Sequence, residues 1–196
     1  MPSLVVPFRG AEGKSRLLVS SPALRMALVQ AMLADVVDAC LAVGPTFVVA
    51  PQATGTPAVT VADPGRGQGA AVRAGLDAAV AAGAAAPLLV VNADLPAVEP
   101  RDLLALAGSA PPAGLAVAAA RDGTTNALAL ASAELFLPLY GPGSAARFAA
   151  VAPSRLVDSP NLVDDVDTAA DLERLAPRLG RRTRRLLDAV GAEAAA

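Results

Sequence analysis

The sequence contains no histidine and no tryptophan, and it has a single cysteine among its 196 residues. Without histidine, a Ser-His catalytic triad, an imidazole general base and a histidine-ligated zinc site are all excluded. One cysteine allows neither an internal disulfide nor a thiolate cage for a metal. Any catalysis by this chain must therefore use carboxylates, lysine, arginine, backbone amides or a hard metal ion.

Aromatic residues are scarce, and the charges of the chain nearly balance. Aromatics make up 3% of the residues and apolar residues 54%, so the core must be built mainly from Val, Leu and Ala. The net charge of −2 gives no general basic surface for nucleic acid. The basic run at residues 178–185 is interpreted as a solvated helix face, with a tail or a subunit contact as the alternatives.

A secretion signal and a long hydrophobic run are also missing. The first ten residues, MPSLVVPFRG, lack the charged start and apolar core of a signal peptide. The longest apolar run, residues 78–91, is too short to span a bilayer. We therefore expect a cytoplasmic protein with no membrane and no nucleic-acid partner. The length favours one domain over residues 1–196, with a basic C-terminal helix or tail from about residue 178.

Short aliphatic runs alternate with helix-forming segments along the chain. The first long helix is predicted from residue 22 to 43, and Thr168 is a predicted N-cap of a late helix. An Asp-Gly pair in RDGTT predicts a hairpin. This alternation predicts an α/β fold with a mixed, mostly parallel sheet, helices on both faces and a β-hairpin insertion. The predicted strands span residues 3–8, 46–50, 58–62, 88–91, 115–120, 126–131 and 155–159.

A carboxylate follows the aliphatic strand LLVV at residues 88–91. Asp94 lies just past the end of this strand, where ligands gather in open α/β sheets. A carboxylate buried alone would cost several kcal/mol, whereas a bound Mg²⁺ prefers carboxylate and phosphate oxygens. The best further ligands are Asp165 and Asp167 of DDVDT. The alternative is that Asp94 is a turn or N-cap residue and that Asp167 or Thr168 only caps the next helix.

Two loops have the composition of phosphate- or nucleotide-binding loops. RGAEGKSR, at residues 9–16, supplies charge from Lys14 and Arg16, but Phe8 stands where a Walker A loop needs glycine. DPGRGQG, at residues 63–69, lies directly before a helix, where backbone amides can bind an anion or a base. The alternatives are an exposed polar loop and a flexible turn.

A third group of polar residues surrounds the predicted hairpin and the segment GPGSAAR. These residues supply hydroxyls, free amides, a helix N-terminus and a guanidinium, which together suit a small phosphorylated acid. Capping by Ser144 is an alternative that is compatible with binding. The residues concerned are Thr124, Thr125, Asn126, Gly141, Gly143, Ser144 and Arg147.

Several segments match one family in the same order along residues 3–175. They are VPFRGAEGKSRL, AAVRAGL, NADLPAV, RDGTTNALAL, GPGSAARF and DVDTAADL. In this ordered set the chain resembles the CofC/FbiD guanylyltransferases, which are part of the MobA-like nucleotidyltransferase superfamily. The resemblance implies a Rossmann-like nucleotide-diphospho-sugar transferase fold. It also implies transfer of GMP from GTP to a phosphorylated three-carbon acid, with release of pyrophosphate, in coenzyme F-420 biosynthesis.

The resemblance also assigns roles to individual residues of this chain. Asp94 and Asp165 would hold Mg²⁺ with Asp167 nearby, and Lys14 and Asp94 would be the catalytic residues. The phosphorylated acid would be held by Thr125, Gly141 and Ser144, with Arg9, Arg16, Asn126 and Arg147 completing the substrate-binding set. The nucleotide-binding set is Pro7, Asp63, Gly67 and Gly69.

Several alternatives stay open at the level of sequence. Phosphoenolpyruvate is the first expected acid, and 2-phospho-L-lactate and 3-phosphoglycerate are the others. The rival functions are a MobA-like transferase acting on the molybdenum cofactor and a nucleotide-binding module without turnover. The short RDGTT hairpin favours a small acid, and the paired carboxylates favour an enzyme. The apolar residues near Phe136, Leu139 and Tyr140 predict either core or the contact of a possible homodimer.

Overall fold

The computed structural model describes residues 1–10, 17, 19 and 21–194, so Lys14 and Arg16 lie outside the described residues. Within these residues, seven strands form one sheet, in the order β3-β2-β1-β4-β6-β5-β7. Neighbouring strands are parallel except where β6 pairs with β4 and β5. The predicted mixed sheet with one hairpin is therefore confirmed. The strands are β1 (Ser3–Pro7), β2 (Thr46–Ala50), β3 (Val59–Ala62), β4 (Leu88–Val91), β5 (Leu115–Ala119), β6 (Thr125–Leu130) and β7 (Ser154–Leu156).

Helices cover both faces of this sheet, and each face has its own apolar layer because strand side chains alternate between faces. On β1, Leu4 and Val6 pack into one layer and Val5 into the other. The first layer contains the buried faces of α1, α3, α5 and α6, and the second those of α2 and α4. The helices are α1 (Pro22–Leu41), α2 (Gln68–Ala81), α3 (Pro100–Ser109), α4 (Ser144–Ala149), α5 (Pro160–Val163), α6 (Ala169–Leu175) and α7 (Arg181–Ala194).

The main difference from the sequence prediction is at the last strand. β7 ends at Leu156, although the prediction continued to residue 159. The pairing with β5 stops there because Pro160 opens α5 and draws the chain away from the sheet edge. Phe136 belongs to the core, since it is 1% exposed and its ring lies 6.0 Å from that of Phe148, whereas Leu139 and Tyr140 are half-buried.

The basic C-terminal segment forms helix α7, which is tied to α1 by one buried carboxylate. Asp35 accepts hydrogen bonds from the backbone amides of Arg182 at 2.8 Å and Thr183 at 2.9 Å. A carboxylate on a neighbouring helix thus satisfies amides that the first turn of α7 leaves without intrahelical partners. Arg181, Arg184 and Arg185 are exposed, as predicted, whereas Thr183 is fully buried. No helix in the described part of the chain has the length and apolarity needed to cross a membrane.

Candidate metal and substrate site

The predicted site residues converge at one edge of the sheet because β6 runs antiparallel to its neighbours. The carboxyl ends of β1 and β4 meet the amino end of β6 at this edge. The backbone amide of Asn92, just after β4, donates to the carbonyl of Asn126 at 3.0 Å. The segment that contains Asp94 is therefore fixed beside the start of β6, where Thr125 lies.

Three carboxylates meet at this edge and could hold one metal ion. Asp94, Asp165 and Asp167 each offer an oxygen, and these atoms lie within 4.8 Å of one another. The backbone amide of Val166 donates to the carbonyl of Asp94 at 3.0 Å, and the Val166 side chain is fully buried. Anchoring the valine in this way places the two flanking aspartates at the same side of the Asp94 segment. A cluster of hard oxygen ligands of this kind fits Mg²⁺.

Capping of α6 does not account for Asp167. Thr168 is the N-cap, and its hydroxyl accepts a hydrogen bond from the amide of Asp171 at 3.3 Å. In return, the Asp171 carboxylate accepts hydrogen bonds from the amides of Thr168 and Asp167. This capping box fixes the backbone at residues 167 and 168, while the side chain of Asp167 lies with the other two carboxylates.

A buried ion cluster holds the chain at Asp164, directly before Asp165, and no pattern in the sequence indicated this cluster. The side chain of Asp164 is 2% exposed and is contacted by the guanidinium groups of Arg121, Arg174 and Arg178. Burial alone would raise the pKa of Asp164, but these hydrogen bonds and charges outweigh it and lower the pKa to about 2. Asn126 adds hydrogen bonds from its amide to the carbonyls of residues 162 and 163.

A pocket of about 390 Å³ opens beside the three carboxylates. Its lining includes Thr125 and Ser144, whose hydroxyls lie 2.9 Å apart and whose side chains are both buried. Hydroxyls that line a concave, acid-lined pocket can donate to phosphate or carboxylate oxygens. Of the predicted site residues, this pocket is lined by Pro7, Arg9, Asp94, Thr125, Asn126, Gly141, Ser144, Asp165 and Asp167.

Four predicted site residues are not brought to this pocket. Arg147 donates to the carbonyls of Leu139 at 2.8 Å and Pro142 at 2.6 Å, so its guanidinium holds the glycine-rich loop instead of reaching the cavity. Asp63 accepts a hydrogen bond from the Gly65 amide and so shapes its own loop. The other two residues are Gly67 and Gly69.

Gly67 and Gly69 lie at the start of α2, outside the carboxylate pocket. Gly67 has φ +94°, which favours glycine, and a Cβ there would lie 3.3 Å from a guanidinium nitrogen of Arg9. Gly69 lines a second pocket of about 640 Å³, which shares Gln68 and Tyr140 with the first. The nucleotide-binding roles of Asp63, Gly67 and Gly69 stay predictions.

Sequence reasoning missed several polar residues of the pocket, above all Gln68 and Asn92. The side-chain amide of Gln68 donates to Oδ1 of Asn92 at 2.9 Å, and Nδ2 of Asn92 donates to the carbonyl of Thr125 at 3.0 Å. The available signal was the position of Asn92 at the end of a buried strand, where a polar side chain faces the ligand edge of the sheet.

Comparison with known proteins gives one family and several relatives. Residues 13–155 match the family described as MobA-like NTP transferase domain. The phosphoenolpyruvate guanylyltransferase of Sphaerobacter thermophilus is 38% identical over 88% of this chain and 91% of its own. The 3-phospho-D-glycerate guanylyltransferase of Phenylobacterium zucineum is 34% identical over 95% of both chains. The 2-phospho-L-lactate guanylyltransferase of Natrialba magadii is 34% identical over 86% and 80%, respectively.

Solved structures of low sequence identity share the fold. One protein described as a nucleotide-diphospho-sugar transferase, from Desulfovibrio desulfuricans G20, superimposes with a TM-score of 0.78 at 14% identity, covering 97% of this chain and 95% of that one. The 2-C-methyl-D-erythritol 4-phosphate cytidylyltransferase of Thermus thermophilus gives 0.56 at 20% identity, covering 95% and 98%. The predicted nucleotide-diphospho-sugar transferase fold is thus confirmed.

Proposed function

The chain belongs to the MobA-like NTP transferase family, in its CofC/FbiD branch, and on this premise we propose that it transfers GMP from GTP to a small phosphorylated carboxylic acid. Pyrophosphate is the second product, and phosphoenolpyruvate is the first candidate acid, followed by 2-phospho-L-lactate and 3-phosphoglycerate. The observation that carries the proposal is one pocket that joins the carboxylate cluster of Asp94, Asp165 and Asp167 to the hydroxyl pair of Thr125 and Ser144.

The three carboxylates are the proposed Mg²⁺ ligands. Their hard oxygen atoms, their mutual distances and their place at the ligand edge of the sheet all fit this ion. When bound, Mg²⁺ neutralises phosphate charge and polarises a phosphoryl oxygen.

The chemistry requires positioning and charge neutralisation more than proton transfer. An oxygen of the acid's phosphate forms a bond to the α-phosphorus of GTP, while the bond from that phosphorus to the bridging oxygen of the β-phosphate breaks. Pyrophosphate leaves with the electron pair of the broken bond. Because the attacking phosphate is already ionised at neutral pH, no general base is needed, which agrees with a chain that has no histidine.

The chain's own polar groups divide this work between the two substrates. One of the Thr125 and Ser144 hydroxyls donates to the other, so the pair would donate one hydrogen bond to the phosphorylated acid and hold it for in-line attack. Arg9 lines the same pocket and would offset negative charge on the triphosphate, and we propose the same role for Lys14 and Arg16. We further propose a cytoplasmic enzyme of coenzyme F-420 biosynthesis, active without nucleic acid and as a possible homodimer.

The test is the substitution Asp94→Asn, assayed by pyrophosphate release with GTP, Mg²⁺ and phosphoenolpyruvate. We expect a loss of kcat of about 100-fold or more, as for removal of a group that stabilises transition-state charge. Affinity for Mn²⁺, measured by calorimetry, should fall with it. Asp38→Asn is the matched control, because Asp38 pairs with Arg182 on the surface and lines neither pocket. Near-normal turnover by Asp94→Asn would refute the metal role.

The acceptor is identified by a separate experiment. Mass spectrometry of products from GTP with each of the three acids should show one guanosine diphosphate adduct formed faster than the others. Ser144→Ala should raise KM for that acid while KM for GTP stays within about twofold, since one hydrogen bond contributes about 1 kcal/mol. If no acid yields an adduct, the proposed reaction is wrong even if GTP binds.

A further inference from the structure

Two side-chain amides form a chain across the wall of the pocket, and its direction is fixed by a backbone group. A backbone carbonyl can only accept, so Nδ2 of Asn92 must face the carbonyl of Thr125, to which it donates at 3.0 Å. The Oδ1 atom of Asn92 then faces Gln68 and can only accept. Gln68 must therefore donate from Nε2, at 2.9 Å.

These two hydrogen bonds leave Gln68 with an acceptor oxygen of fixed orientation. One N–H of Nε2 is donated to Asn92, so the carbonyl oxygen Oε1 of Gln68 points away from Asn92. No hydrogen bond to Oε1 is made by the described residues. Gln68 is half-buried and lines both the carboxylate pocket and the adjoining pocket of about 640 Å³. Rotating the Gln68 amide to present a donor instead would place two acceptors against each other at Asn92.

In GTP and phosphoenolpyruvate, the hydrogen-bond donors that suit such an acceptor are confined to the nucleoside, in guanine and the ribose hydroxyls. Phosphate and carboxylate groups are acceptors at neutral pH, so they cannot pair with Oε1 of Gln68. Guanine carries adjacent donors at N1 and at its 2-amino group. In the same pose adenine presents the acceptor N1 and a C2–H there, and its amino group lies at position 6, where guanine has a carbonyl. Gln68 is also the first residue of α2, directly after Gly67 and the loop that the sequence predicts to face the nucleoside.

We propose that Gln68, held in orientation by Asn92, accepts a hydrogen bond from the donor edge of guanine and so determines the preference for GTP over ATP. This inference rests on the proposed function for the identity of the nucleotide. A site that hydrogen-bonds a donor rejects an analogue that presents an acceptor, because two acceptors would then be buried against each other. Gln68 is a contact residue for the base, and Asn92 is a positioning residue that acts through it.

The decisive variant is Gln68→Met, which keeps the length of the side chain and removes both polar atoms. Steady-state kinetics with GTP and ATP should show that kcat/KM for GTP falls by about 10- to 100-fold, mainly through KM, as expected for one lost hydrogen bond in a partly buried site. The value for ATP should be unchanged or rise, and KM for the acid should stay within about twofold. Gln30→Met is the matched control, because Gln30 is also half-buried but lines neither pocket.

Binding without turnover separates this inference from the proposed reaction. Calorimetric titration of the protein with GTP, ITP, dGTP and ATP, with no acid present, should show the same loss of selectivity in Gln68→Met. If the wild type binds GTP selectively but forms no adduct, the reaction is wrong and the inference stands. The inference is overturned if Gln68→Met loses equal affinity for GTP and ATP, or if its affinities do not change. It is also overturned if the loss disappears with dGTP, because the donor would then be a ribose hydroxyl.

Discussion

Replacing Asp164 by asparagine should destabilise the protein strongly, although Asp164 lines neither pocket. Its carboxylate is 2% exposed and is contacted by Arg121, Arg174 and Arg178. Removing one partner of a buried ion pair costs about 3 to 5 kcal/mol. Asparagine keeps one acceptor oxygen, so we expect a loss of about 3 kcal/mol, at the lower end of that range.

The pKa of Asp164 gives a second route to this magnitude and fixes its pH dependence. A depression of the pKa from 3.8 to about 2 corresponds to about 2 to 3 kcal/mol of stability at pH 7. Because the folded-state pKa is the lower one, this contribution is complete above about pH 5 and is lost as the pH falls towards 2. About half of it should remain at pH 3.

The assay is urea unfolding followed by far-ultraviolet circular dichroism, since the chain has no tryptophan to report fluorescence. Wild type, Asp164→Asn and the control Asp38→Asn should be compared at pH 7, 5, 4 and 3. Asp38 and Arg182 are 41% and 46% exposed, so the control should lose less than about 1 kcal/mol. The reasoning is wrong if both variants lose the same stability, or if the loss in Asp164→Asn does not shrink between pH 5 and pH 3.

Three further predictions concern the packing of the helices. Gly180→Ala should lower the free energy of unfolding by about 2 kcal/mol or more, because a Cβ there would lie 2.3 Å from Cγ of Asp35. Gly191→Ala has open space around the new Cβ and should raise the free energy of unfolding by up to about 1 kcal/mol. Equal melting temperatures of the two variants would contradict this prediction. Cys40 is fully buried and burial raises its thiol pKa, so a disulfide reagent should label it only at the rate of unfolding, and rapid labelling of the native protein would show otherwise. Thr168→Ala should cost about 1 kcal/mol in urea unfolding, while Thr168→Ser keeps the capping hydroxyl and should cost little; similar losses in both would argue against the capping box.

The sequence predicted the fold class and the convergence of three carboxylates because both depend on local patterns. Strand and helix periodicities alternate along the chain, and the Asp-Gly turn before β6 predicted the antiparallel pair β5 and β6. Asp94 was recognised because it directly follows an aliphatic strand, and Asp165 and Asp167 because they precede a helix. Chain position alone predicts that such groups face the ligand edge of the sheet.

The features that the sequence did not predict depend on residues far apart in the chain. Gln68 and Asn92 are 24 positions apart, and Asp35 is 148 positions from Thr183. Asp164 pairs with Arg121 from 43 positions away. No periodicity encodes such pairs, because they arise only when the strand order brings the segments together. Arg147 was predicted to bind substrate from its type and spacing, but spacing could not show that nearby carbonyls accept its guanidinium hydrogen bonds.

The reversed direction of β6 has a consequence for how this scaffold could diversify. The proposed metal ligand Asp94 follows the carboxyl end of β4, but Thr125 stands where β6 begins, directly after the turn at residues 121–124. Asp122 shapes this turn by accepting hydrogen bonds from the amide and hydroxyl of Thr124. Under the proposed function, exchanging residues 122–124 while keeping Arg121, which pairs with Asp164, would reshape the proposed acceptor side of the pocket and leave the strand end before Asp94 in place. Acceptor choice would then be a trait that evolution can alter with few substitutions.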